Sequence, residues 1–361
     1  MRRGSRIKAV SVSPLDAEMN EPFGIAGGAK TEVNNVLVRL RLEDGSEGLG
    51  EGAPMSAFNS EDQESTLKAA RGLAPRLVGR DAADWRGLME DLDRRLGPKR
   101  GAARAALSMA LLDAWSRRAG LPLRVLFGGA SRRVFSDVTV TIVPPEQAAA
   151  SARRIKGLGV RTIKIKIGRD LEEDCARVAA VHGAAKGLRL ILDANQGYGP
   201  RDSLKLLSKL KRRGITPALF EQPAAAADWK GLSEVWRFGR VAVAADESAA
   251  SPAAVEGLAK AKACQVVNVK LMKCGLLEAW DIALIARAAG LGLMIGGMVE
   301  SSLAMTCAAH FAAGLGGFDF VDLDTPLWFK KDPMRGVGFG RGGVYGLSAV
   351  KAGIGVAPAR R

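Results

Sequence analysis

Histidine is almost missing from this 361-residue sequence, which has only 2, and that scarcity excludes a good deal of chemistry. It is the usual acid/base group near neutral pH and the commonest ligand of catalytic zinc. His182 and His310 both fall in stretches with helical spacing, 171–186 and 301–313, so neither is expected at a reacting centre. Cysteine is scarce as well. Cys175, Cys264, Cys274 and Cys307 lie far apart with no CxxC pair, which excludes a disulfide framework or zinc ribbon and leaves reduced structural thiols. Aromatic residues are 5% of the chain, few for a protein that stacks on bases. No apolar run approaches the roughly 20 residues of a membrane span. After the basic start, the stretch from Ile7 to Leu15 is broken by Lys8, Ser11, Ser13 and Pro14, a poor signal-peptide core. No GxGxxG follows a first strand, so dinucleotide binding has no support. A soluble, cytoplasmic chain with no membrane attachment is expected.

Acidic residues are in deficit: 53 Lys and Arg against 38 Asp and Glu give a net charge of +15. A charge of that size fits a polyanion-binding protein, which stands as the non-enzymatic alternative. Its distribution favours a solvated basic surface and no nucleic-acid partner. Basic residues such as Lys205, Lys209, Lys211, Arg212 and Arg213 are spaced along one helical stretch, without aromatics between them.

What is present is an ordered run of elements. Residues 1–125 read as a small α+β domain: strand-like alternation over Arg6–Val12 and Asn35–Leu42, a turn at Asp44-Gly45, a cap at Ser60-Glu61-Asp62-Gln63, and an Ala/Leu-rich helix from Ala102 to Ala119. Residues 126–325 alternate short strands with helical stretches, the pattern of a parallel sheet with crossover helices. Eight strands are predicted, at 137–143, 162–167, 188–193, 218–221, 241–246, 265–270, 291–296 and 318–322. The polar residues at their ends recur regularly: 27 residues from Lys166 to Asp193, 28 to Glu221, 25 to Asp246 and 24 to Lys270. Eight βα units of this size make an α/β fold, a TIM-type barrel capped by the N-terminal domain. Residues 326–361 form a Gly-rich tail expected to pack back on that domain.

Barrel enzymes build their sites at the C-terminal ends of the strands. Lys164 and Lys166 end the second strand and Lys270 the sixth, so Lys166 and Lys270 should face each other across the mouth as an acid/base pair. Asp193, Glu221 and Asp246 end the three strands between. Three carboxylates so close would repel unless a hard cation such as Mg²⁺ bound them. Asn195, Glu247 and Asn268 stand beside them as groups to orient the site. Asp322 and Asp324, on the eighth strand, face the metal and suit the positive end of a substrate. A proton next to a carboxylate is only weakly acidic, and a metal and ammonium groups stabilise the charge left when it departs. For a lysine to serve as base its pKa must fall, and the metal and Lys164 are expected to lower it. Two bases on opposite faces give the epimer.

These motifs, Lys164-Ile165-Lys166, Asp193-Ala194-Asn195, Glu221-Gln222-Pro223, Asp246-Glu247 and Lys270-Leu271-Met272-Lys273, resemble the enolase superfamily in its muconate-lactonising branch. Asp322-Leu323-Asp324 is similar to the motif with which the branch's dipeptide epimerases hold a substrate ammonium. The resemblance implies Mg²⁺, a dipeptide inverted at the α-carbon of its C-terminal residue, and a homo-oligomer. It also places Thr139 and Met298 in the pocket. The segment from Glu21 to Ala26 resembles a capping loop in which Ala-Glu epimerases carry a cation after Phe23. Here that position is Gly24, and an unpaired substrate carboxylate would cost roughly 1–3 kcal/mol, so an apolar or cationic second residue is expected in place of glutamate. N-acylamino-acid racemisation, o-succinylbenzoate synthesis and muconate cycloisomerisation share the same machinery and stay open as alternatives.

Overall fold

Alternating apolar residues from Val10 to Leu49 build a three-stranded antiparallel sheet in the computed structural model, which describes residues 4–25, 28–56 and 61–359. Its strands are β1 (Ile7–Ile25), β2 (Gly28–Leu42) and β3 (Glu47–Gly52), in the order β1-β2-β3. The first two run well past the predicted bounds. Pro14 looked like an interruption, yet it pairs with Val36 on β1, an edge strand where the missing N–H has no ladder bond to make. Gly24 lies towards the end of β1, and its surroundings fall outside the described residues. Three helices cover the sheet: α1 (Gln63–Leu77), capped by Asp62 through a capping box with Ser65, then α2 (Trp85–Leu96) and α3 (Gly101–Arg118). Helix α3 is buried along most of its length, and β3 lies directly on it.

After a short strand, β4 (Arg133–Phe135), the chain winds through the barrel: β5 (Val138–Val140), α4 (Pro145–Gly157), β6 (Thr162–Lys166), α5 (Leu171–Ala184), β7 (Arg189–Asp193), α6 (Pro200–Arg212), β8 (Leu219–Glu221), α7 (Trp229–Gly239), β9 (Val243–Ala245), α8 (Pro252–Lys260), β10 (Val266–Lys270), α9 (Leu271–Ala288), β11 (Gly292–Gly296), α10 (Ser302–Leu315) and β12 (Phe318–Val321). The eight strands β5 to β12 are parallel neighbours in chain order, and the Asp137 N–H donates to the Val321 carbonyl at 2.8 Å, joining first to last. The closing unit carries no helix. Strand β12 is followed by a 3₁₀ turn at Thr325–Trp328 in place of a helix, so the barrel is modified at its closing step.

Strand parity fills the barrel and prepares the site. Ile191, Leu219, Ala244, Val266 and Met294, one residue from each of β7 to β11, make an apolar cluster of their own. Their strand neighbours, such as Leu192, Phe220, Ala245, Val267 and Ile295, belong to the main core shared with the helices. Side chains alternate faces along a strand, so two residues beyond the inner apolar layer the chain again points inward. Those positions are Asp193, Glu221, Asp246 and Asn268.

The tail adds β13 (Met334–Gly336), β14 (Val344–Gly346) and β15 (Val356–Pro358). β13 pairs with β15 and β14 with β4, while Phe329 bridges to Met19 of β1 and Ile354 donates to Asp113 on α3. All four cysteines are buried and free, and no described helix is long and apolar enough to cross a membrane.

Candidate active site

Register brings the predicted residues to one level. Lys166 pairs with Asp193, and Asp193 with Glu221, across β6, β7 and β8. Lys164, Lys166, Lys270, Thr139, Asn195, Met298, Asp322 and Asp324 all line one cavity at this end of the barrel. Each of these charged groups is buried.

Ammonium groups stand among the carboxylates. Lys164 Nζ lies 2.6 Å from Asp322 Oδ2, 2.8 Å from Glu221 Oε2 and 2.9 Å from Asp193 Oδ2. Lys166 Nζ donates to Asp193 Oδ2 at 2.7 Å and Asn195 Oδ1 at 3.0 Å. On the other side, Lys270 Nζ is 2.7 Å from Asp246 Oδ2. Asn268 Nδ2 donates to Glu221 Oε1 at 2.7 Å, and Asn195 Nδ2 donates to Glu247 Oε1 at 3.4 Å. Asp324 accepts from the Thr139 N–H at 2.7 Å, which fixes one carboxylate oxygen beside the cavity.

Burial and charge set the protonation pattern. Burial would raise the Asp193 carboxyl, but Lys164 and Lys166 outweigh it and hold it well below the usual range. Asp246 behaves alike under Lys270 and Lys273. Burial first, and the neighbouring Asp193, push Glu221 up to about 7, and burial with Asp246 does the same for Glu247. Burial and then Asp322 lift Asp324 to about 6. Lys270, with the ion-pair partners that the structure shows, is shifted upward. Burial opposes its charge, yet Asp246 and Glu221 more than compensate and raise it. A base at this position therefore needs its ion-pair partner engaged elsewhere.

The donor set fits a hard cation. Among the described residues no three carboxylates are gathered tightly enough to hold an ion as they stand, because the lysines separate them. Even so, Glu221 Oε2 and Asp246 Oδ2, each within 2.8 Å of an ammonium nitrogen, receive no properly directed hydrogen bond, and Glu247 Oε2 has no partner at all. Buried oxygens with unused lone pairs at the ends of two adjacent strands, β8 and β9, are what Mg²⁺ would take.

Some residues of the site escaped the sequence reading. Lys273 Nζ donates to the Asp246 carbonyl, Asp246 Oδ1 and the Asn268 carbonyl at 2.6–3.0 Å, tying two strand ends together. Asp137, fully buried, has neither carboxylate oxygen paired and is pushed well above the usual range by burial and by Asp322. Glu51 of β3 accepts from Asn35 Nδ2 and from the N–H groups of Ser301 and Ala304, so the capping domain holds the start of α10. A glutamate inside the Gly-rich, otherwise buried strand Glu47–Gly52 was the available signal for that joint.

The chain matches two family models: mandelate racemase / muconate lactonizing enzyme, N-terminal domain, over residues 7–128, and enolase C-terminal domain-like over residues 147–361. It belongs to the enolase superfamily. An aromatic dipeptide epimerase from Herpetosiphon aurantiacus is 45% identical over 97% of this chain and 98% of its own length. A hydrophobic dipeptide epimerase from Citrifermentans bemidjiense is 38% identical over 98% of both. The crystal structure of a dipeptide epimerase from Enterococcus faecalis, complexed with Mg and the dipeptide L-Leu-L-Tyr, superposes with a TM-score of 0.93 at 32% identity, covering 98% of this chain and 99% of that one.

Proposed function

We propose that this superfamily member is a dipeptide epimerase that inverts the α-carbon of the C-terminal residue, acting on dipeptides with an apolar or aromatic second residue. The observation that carries this reading is the shared cavity: Lys166 and Lys270, from strands four apart in the sheet, line it together with Asp322 and Asp324. Asp322 and Asp324 bind the substrate ammonium and thereby place the far α-carbon between the lysines. One lysine, neutral, removes the α-proton from one face, and the other, as ammonium, returns a proton to the opposite face. Held by Asp193, Glu221 and Asp246, Mg²⁺ would offset the charge developing on the substrate carboxylate. Met55, Met298 and Val299 give the same cavity an apolar wall for the second side chain, and the relatives named for aromatic and hydrophobic dipeptides support that preference.

The test is proton exchange in heavy water with L-Leu-L-Tyr. Wild type should incorporate deuterium at the tyrosine α-carbon, and Lys166→Ala and Lys270→Ala should each cut epimerisation by at least 10³-fold, on the order expected for losing a general acid/base. Exchange persisting in both variants sinks the two-base reading. A dipeptide panel in which L-Ala-L-Glu is the best substrate overturns the preference.

A further inference from the structure

The opposite end of the barrel holds a second cleft, of about 370 Å³, that the epimerase reading does not use. Arg133 on β4, Arg161 just before β6 and Arg189 at the start of β7 line it. Register brings the last two together, since the Arg189 N–H donates to the Arg161 carbonyl at 3.0 Å. Each guanidinium lies over an aromatic ring. Arg133 and Arg161 lie over Phe135, at 5.5 and 4.6 Å from its centroid, and Arg189 lies over Phe320 at 4.9 Å. A contact with a ring satisfies the charge of a guanidinium without pairing it with a carboxylate. Among the described residues, none of the three side chains donates a hydrogen bond or pairs with a carboxylate. Two acids line the cleft: Asp319 accepts from the Leu293 N–H at 3.3 Å, and Asp137 is buried, with its carboxyl pushed well above the usual range by burial first and by Asp322.

Three guanidinium forks unspent on protein partners around one concavity make a stronger anion site than scattered surface lysines, because each fork offers paired donors that match phosphate oxygens. The cleft is larger than a phosphate group, and Phe135 and Phe320 give it apolar sides. We propose that this N-terminal mouth of the barrel is a binding site for a small phosphate monoester, of nucleotide or sugar-phosphate size, remote from the catalytic mouth. The phosphate takes the arginine edges, and the remainder lies along the two rings.

Calorimetric titration of the Mg²⁺-loaded enzyme at 0.15 M salt, with AMP, inorganic phosphate and adenosine as probes, tests this. AMP should bind once per chain, with inorganic phosphate weaker and adenosine undetectable. Arg161→Ala and Arg189→Ala should each weaken AMP at least tenfold while epimerase activity stays within twofold of wild type, which shows that they fold. Lys205→Ala on α6, outside the cleft, should leave the affinity unchanged. AMP that fails to bind at millimolar concentration, that binds both arginine variants as it binds wild type, or that responds to Lys205→Ala equally overturns the site. So does adenosine binding as tightly as AMP.

Discussion

His310 shows what a buried side chain can report. Its Nδ1 accepts from the Arg124 N–H and its Nε2 meets the Ile354 carbonyl, both at 3.0 Å, so the ring is held neutral with its proton on Nε2. Burial above all lowers its pKa to about 4. In the unfolded chain the ring takes a proton near pH 6.5, well before the folded one does. Its contribution to stability is therefore complete above pH 6.5 and is lost as pH falls towards 4, roughly 3 kcal/mol in all. Denaturant melts between pH 7.5 and 4 should show wild type losing about that much more than His310→Gln; parallel pH profiles would refute the assignment. At this scale the sequence was readable where a polar residue closes a strand: Lys166, Asp193, Glu221, Asp246 and Lys270 stand at or directly after strand ends, as their spacing suggested. It was opaque where meaning comes from a neighbour far along the chain. That Lys164 would bridge Asp193, Glu221 and Asp322, or that Lys273 would reach back to Asp246, is settled by three-dimensional packing and by no local pattern.

Strand β3 rests on α3 through glycines. A Cβ built on Gly48 would sit 2.1 Å from the Ala110 carbonyl oxygen, and one on Gly50 would sit 1.9 Å from that of Ala106. Backbone lies against backbone here, with only alanines on the helix side, and neither element can move without carrying the sheet or the core with it. Gly50→Ala should therefore cost about 3 kcal/mol or more, beyond the usual overpacking of a flexible site. Urea denaturation would check this, and a loss under 1 kcal/mol would mean that the two elements can separate cheaply. Glu51 follows directly on Gly50, so the same strain should loosen its grip on Ser301. Element boundaries were the weaker part of the reading. The first strand was predicted to end at Val12, yet it continues through Pro14, which an edge strand tolerates, and only the strand order reveals that β1 is an edge. The eighth unit ends without a helix, as the tail predicted from residue 326 leaves no room for one. After Asp324 the chain instead has Thr325-Pro326, with Thr325 bonded to Glu300, and the tail takes over the covering role.

Across the whole molecule the carboxylates of β7, β8 and β9 are balanced by lysines from β6, β10 and α9, so the two sides of the barrel are joined by charge. A divalent cation taken up by Asp193, Glu221 and Asp246 would replace those ion pairs and release the Lys270 ammonium from the partner that raises its pKa. Because such a cation binds the folded chain, it stabilises by mass action, about 2.7 kcal/mol at a hundred times its dissociation constant. Binding must also displace the proton that burial and Asp193 keep on Glu221 up to about pH 7. Above that pH the proton no longer competes; below it the apparent affinity should fall by up to tenfold per unit. Melting curves with graded Mg²⁺ should therefore show Tm rising with concentration, more at pH 8 than at pH 6. In Asp246→Asn the rise should largely vanish at either pH. A shift equal at both pH values would separate Glu221 from the metal, and one that survives Asp246→Asn would place the cation elsewhere in the barrel.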